Sequence, residues 1–188
     1  MIRGLDAAVA ARDRALPGLA TLLDPDAFAE ALDTALPIAG IEGARAVYMR
    51  YKPATNCLVA YRVRTGEGEH DVYARAHAPG ATDKLDKARR RSDRASPLGP
   101  GGFVLDGAAI AVHVFPHDRR LRELPSVARK GARVQTLRSA LPSHPELWEA
   151  EARTLRYKAE RRWVAQLRGA DDARAVLKVH TAGRFRQA

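Results

Sequence analysis

Near its end the chain reads "RAVLKVH" (174–180), preceded by a basic corner, "RYKAERR" (156–162). In an extended segment successive side chains alternate, so Leu177 and Val179 share one face while Val176, Lys178 and His180 share the other. A strand is stiff, and the Lys178 ammonium is then held at a fixed place across the sheet. Lys158, Arg161 and Arg162 add positive charge in the corner between two strands. The chemistry open to such a set is the neutralisation of a bound anion. The same spacing also describes a lysine on the solvent face of a half-buried strand. No G-x-G-x-x-G is present, so no backbone cradle for phosphate is signalled.

The elements that must position these cations follow from the pattern upstream. Residues 1–36 read as helix. In "DPDAFAEALDTAL" (24–36), Asp24 is an N-cap, Pro25 takes the first helical position, and Phe28, Leu32 and Leu36 line one face. The period then changes. "ARAVYMRYK" (44–52) and "CLVAYRVR" (57–64) are strands around the corner "PATN", and "HDVYARAHA" (70–78) is a third strand after the turn "GEGE". "TDKLDKARRR" (82–91) is a helix with Thr82 expected as its cap. A Pro/Gly loop follows, then "FVLDGAAIAVHVF" (103–115) as a hairpin turning at Asp106-Gly107. Residues 118–141 return to helix, with an interruption expected near Gly131.

The cationic corner has a counterpart. Arg50, Tyr51, Lys52 and Arg62 recur as Arg156, Tyr157, Lys158 and Arg168 at a constant offset of 106 positions. Leu58 then faces Val164, and Tyr61 faces Leu167. "VYARAH" (72–77) lies against "AVLKVH" (175–180), placing Arg75 on Lys178 and His77 on His180. Element order repeats with the residues: strand, corner, strand, turn, strand, with a cation at the same place in the third strand. This points to an internal duplication.

The totals bound the class. A chain of 188 residues with 46% hydrophobic and 29% charged residues suits a globular protein of one domain, or two small ones. No apolar run approaches the ~20 residues of a membrane helix, and the first residues lack the apolar core of a secretory signal. Cys57 stands alone, which excludes an internal disulfide and fits a reducing cytoplasm. His70, His77, His113, His117, His144 and His180 are too scattered for a zinc site. The net charge of +10 favours an anionic partner, although much of the excess is arginine spread along the chain. It is dense only at "KARRRSDR" (87–94) and "DRRLR" (118–122).

The stretches "RYKPATNCLVAYRV", "DVYARAH…DKLDKARRR", "LRYKAERRWVAQL" and "AVLKVHT" resemble bacterial phosphotransferases of the aminoglycoside phosphotransferase-like superfamily, nearest to their maltokinase-related, sugar-kinase-like members. The resemblance runs from about Ile41 onward. It implies an α+β fold with two antiparallel sheets, each like a kinase N-lobe, and flanking helices. The implied organisation is a helical segment (1–40), a cap domain (41–117), a helical connector (118–150) and the start of a nucleotide-binding lobe (151–188). It also implies ATP and Mg2+ as cofactors of the full-length protein, with transfer of the γ-phosphoryl to a hydroxyl of a small molecule. Lys178 becomes the nucleotide lysine, with Lys158, Arg161 and Arg162 adding charge beside it. Arg75 is its counterpart in the cap, where nucleotide is not expected.

Phosphoryl transfer also needs an aspartate to orient the hydroxyl, and Asp and Asn residues to hold magnesium. Neither is found. His117-Asp118 is not followed by an asparagine (Asn56 is the chain's only one), and Asp106-Gly107 is explained by a hairpin turn. After Asp172 there is no acidic residue, and the sequence stops at "GRFRQA" (183–188) with no helical catalytic lobe. The expectation is therefore the N-terminal part of a phosphotransferase, inactive by itself and prone to self-association at its cut edge. The rival expectation is a non-catalytic basic module that binds nucleic acid or another polyanion, with Tyr48, Tyr51, Tyr61 and Tyr73 as possible stacking residues. No RNA-binding signature supports it, and Tyr51 and Tyr73 serve as readily in a core. Trp148 and Trp163 also read as core residues.

Overall fold

The computed structural model describes residues 4–182 and divides into two compact units, Met1–Phe115 and Pro116–Ala188. Both are mixed α and β with antiparallel sheets.

The first unit opens with helices α1 (Gly4–Arg12), α2 (Leu19–Leu23) and α3 (Pro25–Ala35). The Asp24 carboxylate accepts the amides of Asp26 and Ala27 at 3.0 and 3.4 Å, so α3 starts where its cap and Pro25 dictate. Strands β1 (Ile41–Lys52), β2 (Asn56–Thr65) and β3 (Gly68–His77) follow, and helix α4 (Thr82–Arg89) comes next. Thr82 does not cap α4. Ala81 occupies the cap position without a side-chain bond, because the turn at Pro79-Gly80 puts Thr82 already inside the helix.

The Pro/Gly loop contains a small hairpin, β4 (Ala95–Ser96) with β5 (Gly99–Pro100). Strands β6 (Gly102–Leu105) and β7 (Ile110–Val114) form the expected hairpin, joined by a 3-10 turn at Asp106–Ala108. The sheet order is β1-β2-β3-β7-β6. Its inner face carries Cys57, Val59, Tyr61 and Val63 of β2 and Val72, Ala74 and Ala76 of β3. These pack with Leu19, Leu22, Phe28 and Leu32 of the helices. The first helices thus belong to the core of this sheet.

The second unit contains α5 (Leu124–Ala128), α6 (Lys130–Ala140), a 3-10 turn at Pro145–Leu147, and strands β8 (Glu151–Lys158), β9 (Arg162–Arg168) and β10 (Arg174–His180), ordered β10-β9-β8. Residues 118–123 are not helical, because the Asp118 carboxylate turns the chain by accepting the Arg120 and Leu121 amides. The helical interruption falls at Arg129, whose backbone is extended and whose guanidinium donates to His117 Nε2 at 2.7 Å. Gly131 lies within α6. The core gathers Leu137 of α6, Leu147 and Ala150 before β8, and Leu167 of β9, with Leu177 of β10 partly buried beside them.

The two units repeat one pattern. β1 pairs with β2 as Lys52↔Asn56, Tyr51↔Cys57 and Arg50↔Leu58. β8 pairs with β9 as Lys158↔Arg162, Tyr157↔Trp163 and Arg156↔Val164. In the next ladder Leu58↔Arg75 and Asn56↔His77 correspond to Val164↔Lys178 and Arg162↔His180. The helices agree too: α2 and α5 have five residues each, α3 and α6 eleven each, and both pairs are offset by 105 positions.

Candidate functional site

β9 and β10 make a two-sided surface. Trp163, Ala165 and Leu167 point into the core and are at most 1% exposed. On the other side lie Arg162, Val164, Gln166 and Arg168 of β9. They stand opposite His180, Lys178, Val176 and Arg174 of β10, in unbroken register. Lys178 is exposed, as alternation requires, and Val176 is 58% exposed. The structure brings three of the four expected anion-binding residues onto this face. Lys158 and Arg162 are directly paired across β8 and β9, and Lys178 is one step diagonal from Arg162. Arg161 sits in the turn between those strands, partly buried. Lys178 makes no hydrogen bond or ion pair with a described residue, and the Arg162 Nε is buried without a partner among them.

The turn itself is a fixed object. Glu160 has a positive φ of 58°, and its N–H donates to the Asp118 carboxylate at 2.7 Å, while the Arg161 N–H donates to the Lys158 carbonyl at 3.0 Å. The Glu160 side chain is 1% exposed and accepts a 2.9 Å bond from Arg119 Nε. Two turn amides are thus committed within the protein, so anion binding here falls to side chains. Asp118 is fully engaged: besides three backbone amides it accepts the Tyr157 hydroxyl at 2.8 Å. Asp106 pairs with Arg89 beside the hairpin turn.

The equivalent face of the first unit is closed. Arg75 donates to the Asn56 side-chain Oδ1 at 3.1 Å, where the second unit has Lys178 and Arg162. Arg62 pairs with Asp71 at 2.8 Å, where the second unit has Arg168 opposite Arg174. Leu58 and Tyr73, at 0% and 1% exposure, are buried where Val164 is half-buried and Val176 exposed. Tyr73 stacks on His113 of β7 at 4.9 Å, and α4 packs on β6 and β7. The residues missed by sequence reading are Arg168 and Arg174. Setting Arg62 and Asp71 against them shows the change from a complementary pair to a like-charged one.

Grooves also lie elsewhere. One of about 570 Å3, in the second unit, is lined by Arg138, Trp148, Glu149 and Arg168 among others. Another of about 600 Å3, in the first, is lined by Leu36, Ile38, Leu98 and Pro100 among others. Neither includes Lys178. Trp148 is partly buried, donating to the Leu141 carbonyl at 2.8 Å beneath the Arg138 guanidinium. Tyr61 and Tyr73 are core residues and are withdrawn from any stacking surface. Burial pushes the Cys57 thiol up to about 12, so it remains protonated and inert.

Among the described residues no cluster of His, Cys, Asp or Glu is arranged to hold a metal, and no helix is long and apolar enough to cross a membrane. The segment "GRFRQA" (183–188) lies outside the described residues. No protein-family model, no curated protein and no solved structure matches this chain.

Proposed function

We propose that the second unit is a nucleotide-phosphate-binding lobe of kinase N-lobe type, serving an ATP-dependent phosphotransferase that acts on a small hydroxylated substrate. One observation carries the reading: Lys178 is held on a strand, exposed, with Arg162 beside it and no carboxylate pairing either. That arrangement suits the phosphate oxygens of ATP, whose charge the cations offset. The described residues do not suit magnesium: none of their carboxylates are grouped to hold it. The first unit, its equivalent face closed by Asn56, Asp71 and α4, acts as a cap.

ATP titrated calorimetrically into the 188-residue chain is expected to bind without magnesium. Lys178→Ala is expected to weaken binding about tenfold, the scale of one lost charge-assisted contact. Binding indifferent to Lys178, or no binding by a folded chain, overturns the reading.

A further inference from the structure

Like charges set directly opposite each other on a sheet are destabilising. The second unit nevertheless sets Arg174 directly opposite Arg168, where the first unit has the Arg62–Asp71 pair, and a second cation, Arg162, diagonal to Lys178, where Asn56 accepts from Arg75. The two cationic loci share one face of β9, six residues apart, or about 20 Å at the rise of a strand. Arg156 and Arg153 of β8 flank the interval, opposite Val164 and Gln166. Counter-charge lies near the far locus but is engaged elsewhere: Glu146 and Glu149 line a groove with Arg168 and pair with His144 and Arg138. Glu151, opposite Arg168, makes no ion pair with it. Asp172 stands 3.8 Å from Arg174 but is almost wholly in solvent. Among the described residues Arg168 Nε otherwise reaches only Gln166, at 3.4 Å.

From this juxtaposition we infer that the outward face of β8–β10 binds a linear inorganic polyphosphate, laid along β9 from Arg162 and Lys178 to Arg168 and Arg174. A repeating anion satisfies both like-charged pairs at once, whereas a triphosphate reaches only one. Between the loci the face offers Val164, Val176 and Gln166 and no aromatic ring. A run of bases would therefore meet no aromatic platform along the interval, and bare phosphate fits better than nucleic acid. The near locus is the one proposed above for ATP, so the inference rests partly on that reading; the far locus does not.

The test compares tripolyphosphate, a long polyphosphate and a single-stranded oligonucleotide of equal charge, each titrated into the full chain at several salt concentrations. The long polyphosphate is expected to bind about tenfold more tightly than tripolyphosphate, with the steeper salt dependence of more neutralised phosphates. Arg174→Asp recreates the Arg62–Asp71 pairing and is expected to abolish that chain-length advantage while leaving the binding of ATP, which uses the near locus, unchanged. Arg162→Asn weakens all three phosphate ligands. Equal affinity for short and long chains, an advantage that survives Arg174→Asp, or tighter binding of the oligonucleotide overturns the inference. Loss of ATP binding alone, with the chain-length effect intact, would count against the nucleotide reading and not this one.

Discussion

Asp13 and Asp118 hold the same position in their respective units. One Oδ2 of Asp13 accepts the Tyr51 hydroxyl at 2.7 Å and the Ala54 amide at 2.8 Å. The Asp118 Oδ2 accepts the Tyr157 hydroxyl at 2.8 Å and the Glu160 amide at 2.7 Å. In both, the residue giving its amide has a positive φ, 53° at Ala54 and 58° at Glu160. Each aspartate thus fastens the segment ahead of a helix to the first strand corner of its sheet.

Acid sensitivity follows for the first unit. The Tyr51 hydroxyl, then the Ala54 amide, hold the Asp13 carboxyl below its ordinary value of 3.8. A depressed folded value stabilises the fold above pH 3.8, and the stabilisation fades as pH falls through the folded value. Tyr51 titrates in the opposite sense. Its hydroxyl, facing Asp13, is pushed from 10.0 up to about 12, so its contribution is present below pH 10 and is lost towards 12. Tyr51→Phe is expected to flatten both limbs of a stability–pH curve measured by urea unfolding. An unchanged curve would remove the fastening role.

The two corners should respond oppositely to glycine. Ala54→Gly relieves a left-handed alanine and is expected to raise stability by about 0.5–1 kcal/mol. Glu160→Gly relieves the same geometry but deletes the buried partner of Arg119, and is expected to cost about 2 kcal/mol. Paired denaturant curves distinguish them, and the same sign for both would contradict the assigned geometry.

Phe28 and Arg133 are another equivalent pair. Phe28 stacks on Tyr61 with ring centroids 4.1 Å apart, and Tyr61 donates to the Leu22 carbonyl. At the matching turn of α6, Arg133 is 5% exposed and spends its guanidinium on the carbonyls of Ala150, Val127 and Ala128. Phe28→Ala is expected to cost about 3–4 kcal/mol through the void it leaves. Arg133→Leu is expected to cost about 2–3 kcal/mol, because three carbonyls, two of them buried, lose their donor. A thermal unfolding series with Arg133→Lys as control, which restores one bond at most, reads the second effect.

Local chemistry explains what was legible in the sequence. The Asp24-Pro25 start of α3, the three-strand runs and the 106-residue offset all rest on contiguous patterns, and each appears in the structure. The hidden parts depend on partners far apart in the chain. Asp13 bonds a tyrosine 38 positions away and Asp118 one 39 positions away. Only the repeated "DRAL" (13–16) and "DRRL" (118–121) mark them. The break at Arg129 depends likewise on His117, and the closure of the first sheet's outer face depends on α4. Periodicity correctly set Lys178 opposite Leu177; it could not show that Arg168 would meet Arg174.

Among the described residues β10 is bonded to β9 alone, whereas its counterpart β3 is flanked on both sides by β2 and β7. Ala175 through Val179 therefore present a free row of main-chain donors and acceptors, guarded mainly by the mutual repulsion of Arg174 and Lys178 between neighbouring molecules. Added electrolyte weakens that guard. Concentrated solutions are expected to scatter more light as sodium chloride rises, the reverse of what a merely charge-driven assembly would do.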